Sequence, residues 1–140
     1  MNDPCSVIVV DDDPNDLALI DRAFRKSGCE AVVALTPSVR AARELLEQPD
    51  VRTPRVVLLD LKLPGESGFD LLTWVRGPDS PMRCVPVVLF TSSQEPSDLR
   101  RAYELGANAY FVKPPDFATL QKIVGTLLEH WVTYNRLPGE

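Results

Sequence analysis

Aliphatic runs and helix-period segments alternate five times along the chain. The apolar runs fall at residues 6–10 (SVIVV), 31–35 (AVVAL), 56–59 (VVLL), 85–90 (VPVVLF) and 109–112 (AYFV). Unbroken rather than alternating apolarity predicts strands covered by helices on both faces, as in parallel sheets. Between the runs, Leu17, Ile20 and Phe24 repeat at helical spacing, as do Val39, Ala42 and Leu46, then Leu72 and Val75, then Leu99, Ala102 and Gly106. Asp13-Pro14 places a capping carboxylate before a proline at the first helical position. Thr36-Pro37 is expected to repeat the device, and Pro96 to open the fourth helix. Gly28 and Gly106 stand where helices should stop. Five such units predict one α/β domain over residues 1–140, a doubly wound five-stranded parallel sheet with no appended effector domain.

The last helix carries more apolar surface than a sheet-packing helix needs. At 100° per residue, Leu120, Ile123, Val124, Leu127, Leu128, Trp131, Val132 and Tyr134 spread over about half its circumference. Either the helix is sunk between its neighbours, or the surplus meets another chain. The expectation leans toward association.

Composition narrows the function classes. A net charge of -5 disfavours direct nucleic-acid binding, which needs clustered Lys and Arg. No apolar run approaches the roughly 20 residues of a membrane span. The start, MNDPCSVIVV, lacks the basic region and cleavage site of an export signal, so a cytoplasmic location is expected. Cys5, Cys29 and Cys84 are an odd number without a CxxC pair, and are expected to be buried or half-buried free thiols. His130 is the only histidine, which nearly excludes an imidazole-based metal site.

The chemistry gathers at strand ends. The first run ends in Asp11-Asp12, the third in Asp60, the fourth in Thr91-Ser92 and the fifth in Lys113. In a parallel α/β sheet, these carboxyl ends are where ligands bind. Three crowded carboxylates need a cation, and the sequence brings one ammonium, so a hard divalent ion such as Mg2+ is the natural remainder. Asp60, at the end of VVLL and before Pro64, Gly65 and Gly68, could then accept phosphorus as a nucleophile. The Thr91 hydroxyl and Lys113 would balance charge on the phosphoryl oxygens. Asp13 reads as a helix cap rather than a metal ligand. Ser92 and Ser93 either satisfy loop backbone groups or touch phosphate.

The stretches VIVVDDDP, VVLLDLKLPGESG, VVLFTSS and GANAYFVKPPD, in that order, resemble the receiver domain of two-component response regulators. The resemblance implies a flavodoxin-like fold with strand order 2-1-3-4-5. It implies Asp60 as phosphoacceptor for a sensor histidine kinase. It also implies Mg2+ held by Asp11, Asp12, Asp60 and the backbone carbonyl of Lys62. Thr91 and Lys113 match the phosphoryl-sensing pair, Tyr110 the aromatic switch, and Lys113-Pro114 a bond that is cis in the family. The output face would be the fourth helix, fifth strand and fifth helix. DLKLP, TSS and HWVTYNRLP further resemble stand-alone regulators paired with bacterial phytochrome histidine kinases, which commonly dimerise through the fourth and fifth helical face. Such a protein catalyses only its own phosphorylation and dephosphorylation.

Three rival readings are weaker. A phosphohydrolase using an aspartyl phosphate wants an acid two residues after the nucleophile, where Lys62 stands. A flavodoxin-like nucleotide binder wants a glycine-rich first turn, and DDDPND would repel phosphate there. A pseudo-receiver, serving only for docking or dimerisation, would lack an acid or the lysine.

Overall fold

The computed structural model describes residues 6–28, 30–49 and 52–138. Its strands are β1 (Val7–Val10), β2 (Val33–Thr36), β3 (Val56–Leu59), β4 (Val87–Thr91) and β5 (Ala109–Val112). Between and after them lie α1 (Pro14–Lys26), α2 (Val39–Leu46), α3 (Gly68–Arg76), α4 (Pro96–Glu104) and α5 (Phe117–Leu127). All strand pairs are parallel and the order is β2-β1-β3-β4-β5, as expected. The chain has the flavodoxin-like strand order that the resemblance implied.

Period-two alternation divides the central strands between two cores. Ile8, Val10, Val57 and Leu59 join Val39, Leu46, Leu72 and Val75 on the α2–α3 side. Val7, Val9, Val56 and Leu58 join Ile20, Phe24, Leu120 and Val124 on the α1–α5 side. Each fully buried Leu or Ile side chain contributes roughly 1.5–3 kcal/mol. The central strands β1, β3 and β4 are buried throughout, whereas edge strands β2 and β5 are only partly covered.

Several boundaries differ from the sequence reading. β4 starts at Val87 rather than at residue 85; Pro86 has no N–H for the ladder, though its carbonyl accepts from the Val57 N–H at 2.9 Å. The α2 cap is Ser38, whose hydroxyl accepts from the Ala41 N–H at 3.1 Å, and not Thr36. Thr36 belongs to β2, and its hydroxyl donates to the Val9 carbonyl at 2.8 Å. Leu99 was expected on the packed face of α4 but is exposed; Leu105 packs against the core instead. Asp13 does cap α1, accepting from the Asn15 N–H at 2.8 Å, and Pro96 does open α4. Gly106 stops α4 with φ +102°, a conformation that side chains rarely adopt.

The apolar arc of the last helix needs correction. From Leu128 to Tyr134 the chain winds as a π-helix, so 100° per residue no longer applies. Leu120, Val124, Leu127 and Leu128 are buried, and Ile123, Trp131 and Val132 pack against the same core. Tyr134, at 71% exposure, is the large apolar residue of the arc left in solvent. Most of the surplus is therefore covered within the chain. Cys84 is exposed, contrary to expectation, because it sits in the loop before β4; Cys5 and Cys29 lie outside the described residues.

Candidate functional site

The site is built by letting the sheet ladder run one residue past β1, β3 and β4's neighbour β5. Asp11 N–H donates to the Thr36 carbonyl at 3.0 Å, Asp60 N–H to the Val10 carbonyl at 3.0 Å, and Lys113 N–H to the Thr91 carbonyl at 2.8 Å. Each functional side chain thus hangs from a backbone already fixed by its neighbour. Three positions far apart in sequence become one rigid edge.

At that edge, Lys113 Nζ donates to Asp11 Oδ2 at 2.7 Å, Asp16 Oδ2 at 2.8 Å and Asp60 Oδ2 at 3.0 Å. Asp11 and Asp60 are buried, at 2% and 6% exposure. Burial pushes the Asp11 carboxyl above its ordinary value, against the lowering effect of the Lys113 hydrogen bond. Burial also works against the Lys113 charge, but its three carboxylate partners raise the ammonium above the usual lysine range. Lys113 is therefore a fixed positive charge at neutral pH.

One carboxylate oxygen each from Asp11, Asp12 and Asp60 lies within 4.8 Å of the others, a spacing that one cation can bridge. The donors are all oxygen and Asp12 is exposed, so a hard, partly hydrated ion such as Mg2+ fits this set. Three carboxylates pair with the Lys113 ammonium and Asp12 lies beside two of them, so among the described residues the cluster carries an excess of negative charge that a divalent ion would offset.

The remaining predicted residues fall around this cluster. Lys62 N–H points at Asp60 Oδ1 from 3.4 Å, while its side chain is exposed and the carboxylates are bridged by Lys113 instead. Thr91 is fully buried at the end of β4, and its hydroxyl accepts from the Ser93 N–H at 3.3 Å. Tyr110 is half-buried, and its hydroxyl donates to the Ser93 carbonyl at 3.0 Å. Burial raises the Tyr110 phenol above its ordinary value. The Lys113–Pro114 bond is trans, not cis as the resemblance implied; trans is the isomer an X–Pro amide prefers by about 0.5–1 kcal/mol.

One feature escaped the sequence reading. Asp16 was hidden in the first turn of α1, where an acid reads simply as a helix-start residue. The Ser93 hydroxyl donates to Asp98 Oδ2 at 2.6 Å and accepts from the Glu95 N–H at 3.3 Å. It thereby ties the loop to the first turn of α4, where Glu95 makes no side-chain capping bond.

The family pattern described as "Response regulator receiver domain" matches residues 7–125. The chain belongs to that family. This receiver is 36% identical over 140 residues to the "Probable methanogenesis regulatory protein FilR2" of Methanothrix harundinacea, covering 98% of this chain and 90% of that one. It is 28% identical to response regulator Rcp1 of Synechocystis, covering 99% of this chain and 96% of that one. The solved Mn2+-bound form of Rcp1 superposes with a TM-score of 0.83, covering 96% and 99% of the two chains. The bacteriophytochrome response regulator AtBRR is 36% identical with a TM-score of 0.72, covering 96% of each chain. The receiver is thus a two-component signalling protein related to phytochrome response regulators. No helix among its described residues is long and apolar enough to cross a membrane.

Proposed function

We propose that the receiver accepts a phosphoryl group on Asp60 from a sensor histidine kinase and signals through protein contact. The observation that carries this reading is the single ammonium of Lys113 held between Asp11 and Asp60, with Asp12 beside them. An Asp60 carboxylate oxygen bonds to phosphorus as the donor's P–N bond breaks, and the leaving nitrogen takes up a proton. Mg2+, when bound, neutralises charge on the phosphoryl oxygens. Asp11, Asp12, Asp60 and the Lys62 carbonyl are the residues that would hold it. Lys113 stands ready to exchange its bond to Asp60 for one to a phosphoryl oxygen, and the Thr91 hydroxyl, which accepts from the Ser93 N–H, keeps its own O–H to donate to another. The protein's only catalysis in this reading is of its own phosphorylation and hydrolysis.

Tyr110 would report the change, because it is tied to the same loop that Thr91 enters. The output face is α4, β5 and α5, where Leu99, Tyr103 and Val112 are exposed. We propose that this face also forms a homodimer, and that the protein acts in the cytoplasm. Kinship with Rcp1 and AtBRR favours a phytochrome-type kinase as donor. Incubation with Mg2+ and acetyl phosphate followed by intact mass tests the core claim. One phosphate adduct on the wild type and none on Asp60→Asn is expected. An adduct that survives Asp60→Asn sinks the assignment.

A further inference from the structure

A lysine ammonium has three N–H donors, and in this receiver the three carboxylates of Asp11, Asp16 and Asp60 engage it at 2.7, 2.8 and 3.0 Å. Two of these carboxylates follow strand ends. The third comes from α1, the helix that begins between them. A long, flexible lysine side chain is otherwise free to sample many rotamers. Here its terminus is fixed from three directions.

We infer that Asp16 is a positioning residue for phosphoryl transfer: together with Asp11 it holds the Lys113 ammonium so that its remaining N–H is aimed at Asp60. This rests on Asp60 being the phosphoacceptor. When a phosphoryl group arrives, only the bond to Asp60 has to be exchanged, and the anchors on Asp11 and Asp16 stay. The pair is partly sheltered as well as close. A small cleft beside it is walled by Leu19, Ile20, Phe90 and Leu120, and the side chains of Lys113 and Asp16 are 15% and 34% exposed. Apolar walls strengthen a charge pair relative to one in open water. An acid serving only the positive end of α1 would need no lysine partner.

Removing Asp16 leaves the ammonium to Asp11 and Asp60, both of which the metal also needs. It would then be drawn onto the metal ligands and would lose its fixed direction.

The test reads the lysine directly, in the full chain without metal or phosphodonor. The 15N spectrum of side-chain ammonium groups compares Lys113 with Lys26, Lys62 and Lys122. In the wild type, Lys113 should show slow hydrogen exchange and cross-relaxation to the Asp16 side chain. Asp16→Asn should lose that protection. Its rate of phosphorylation by acetyl phosphate should fall roughly tenfold, the equivalent of one charge-assisted hydrogen bond. A role confined to the helix terminus predicts a lower melting temperature with Lys113 protection unchanged, and that result overturns the inference. If Asp16→Asn does not fold, the wild-type spectrum decides alone: a rapidly exchanging Lys113 with no cross-relaxation to Asp16 overturns it. A wild type that shows the protection yet takes no phosphate overturns the receiver reading, and with it the reaction that Asp16 would serve.

Discussion

The carbonyl oxygen of Asp60 occupies the space where a side-chain carbon on Gly68 would sit. The start of α3 therefore lies directly against the backbone of the proposed phosphoacceptor, and the Gly68 N–H donates to the Leu61 carbonyl at 3.0 Å. The loop between Asp60 and α3 is closed by this contact, which holds the acceptor from beneath.

Gly68→Ala should destabilise the protein by about 1–3 kcal/mol. Overpacking against rigid backbone outweighs the gain in helix propensity of up to about 1 kcal/mol. Denaturant unfolding measures it. A variant as stable as the wild type would show that the loop moves freely.

Ser93→Ala removes the hydroxyl that links the β4–α4 loop to Asp98 and to the Glu95 N–H. The expected cost is about 1.5 kcal/mol, that of losing a hydrogen bond to a charged group. Faster amide exchange should be confined to the first turn of α4. Tyr110→Phe, which loses only the bond to the Ser93 carbonyl, should cost about 1 kcal/mol. It should also uncouple the β5 aromatic from phosphorylation, which fluorine labelling at position 110 or nearby amide shifts would detect.

Mg2+ should raise the melting temperature of the wild type, since a ligand that binds only the folded state at 100 times its dissociation constant adds about 2.7 kcal/mol. Asp12→Asn should abolish most of that gain while leaving the metal-free stability nearly unchanged, because Asp12 is exposed. Chelator should reverse the shift in the wild type. An equal Mg2+ response in the variant would remove Asp12 from the ligand set.

Sedimentation should show a dimer that Tyr103→Glu breaks, because Tyr103 lies on α4 at 51% exposure beside the exposed Leu99. A charge placed in the centre of an apolar contact is strongly unfavourable. A wild type that stays monomeric at high concentration, with and without phosphorylation, would exclude the dimer.

The architecture was legible because local sequence and global fold agree. Unbroken aliphatic runs such as Val56–Leu59 can be satisfied only between two helical layers, and Asp13-Pro14, Gly28 and Gly106 mark helix limits through local capping and backbone chemistry. Asp11, Asp12, Asp60, Thr91 and Lys113 could likewise be gathered from sequence, since each ends or follows a strand and parallel topology brings strand ends together. Only tertiary structure decided which neighbours those groups would take. Asp16 reaches Lys113 across 97 residues, and Ser93 meets Tyr110 across 17, because of how α1 and the β4–α4 loop settle on the sheet edge. The last helix shows the same limit. Its angular pattern assumed one period and left open whether the arc was sunk or free; packing on the sheet buries Leu120, Val124 and Leu127 within α5, and π winding sets the direction of the residues after Leu127. Periodicity and strand ends are local properties that a sequence carries; hydrogen-bond partners and helix pitch are settled by packing.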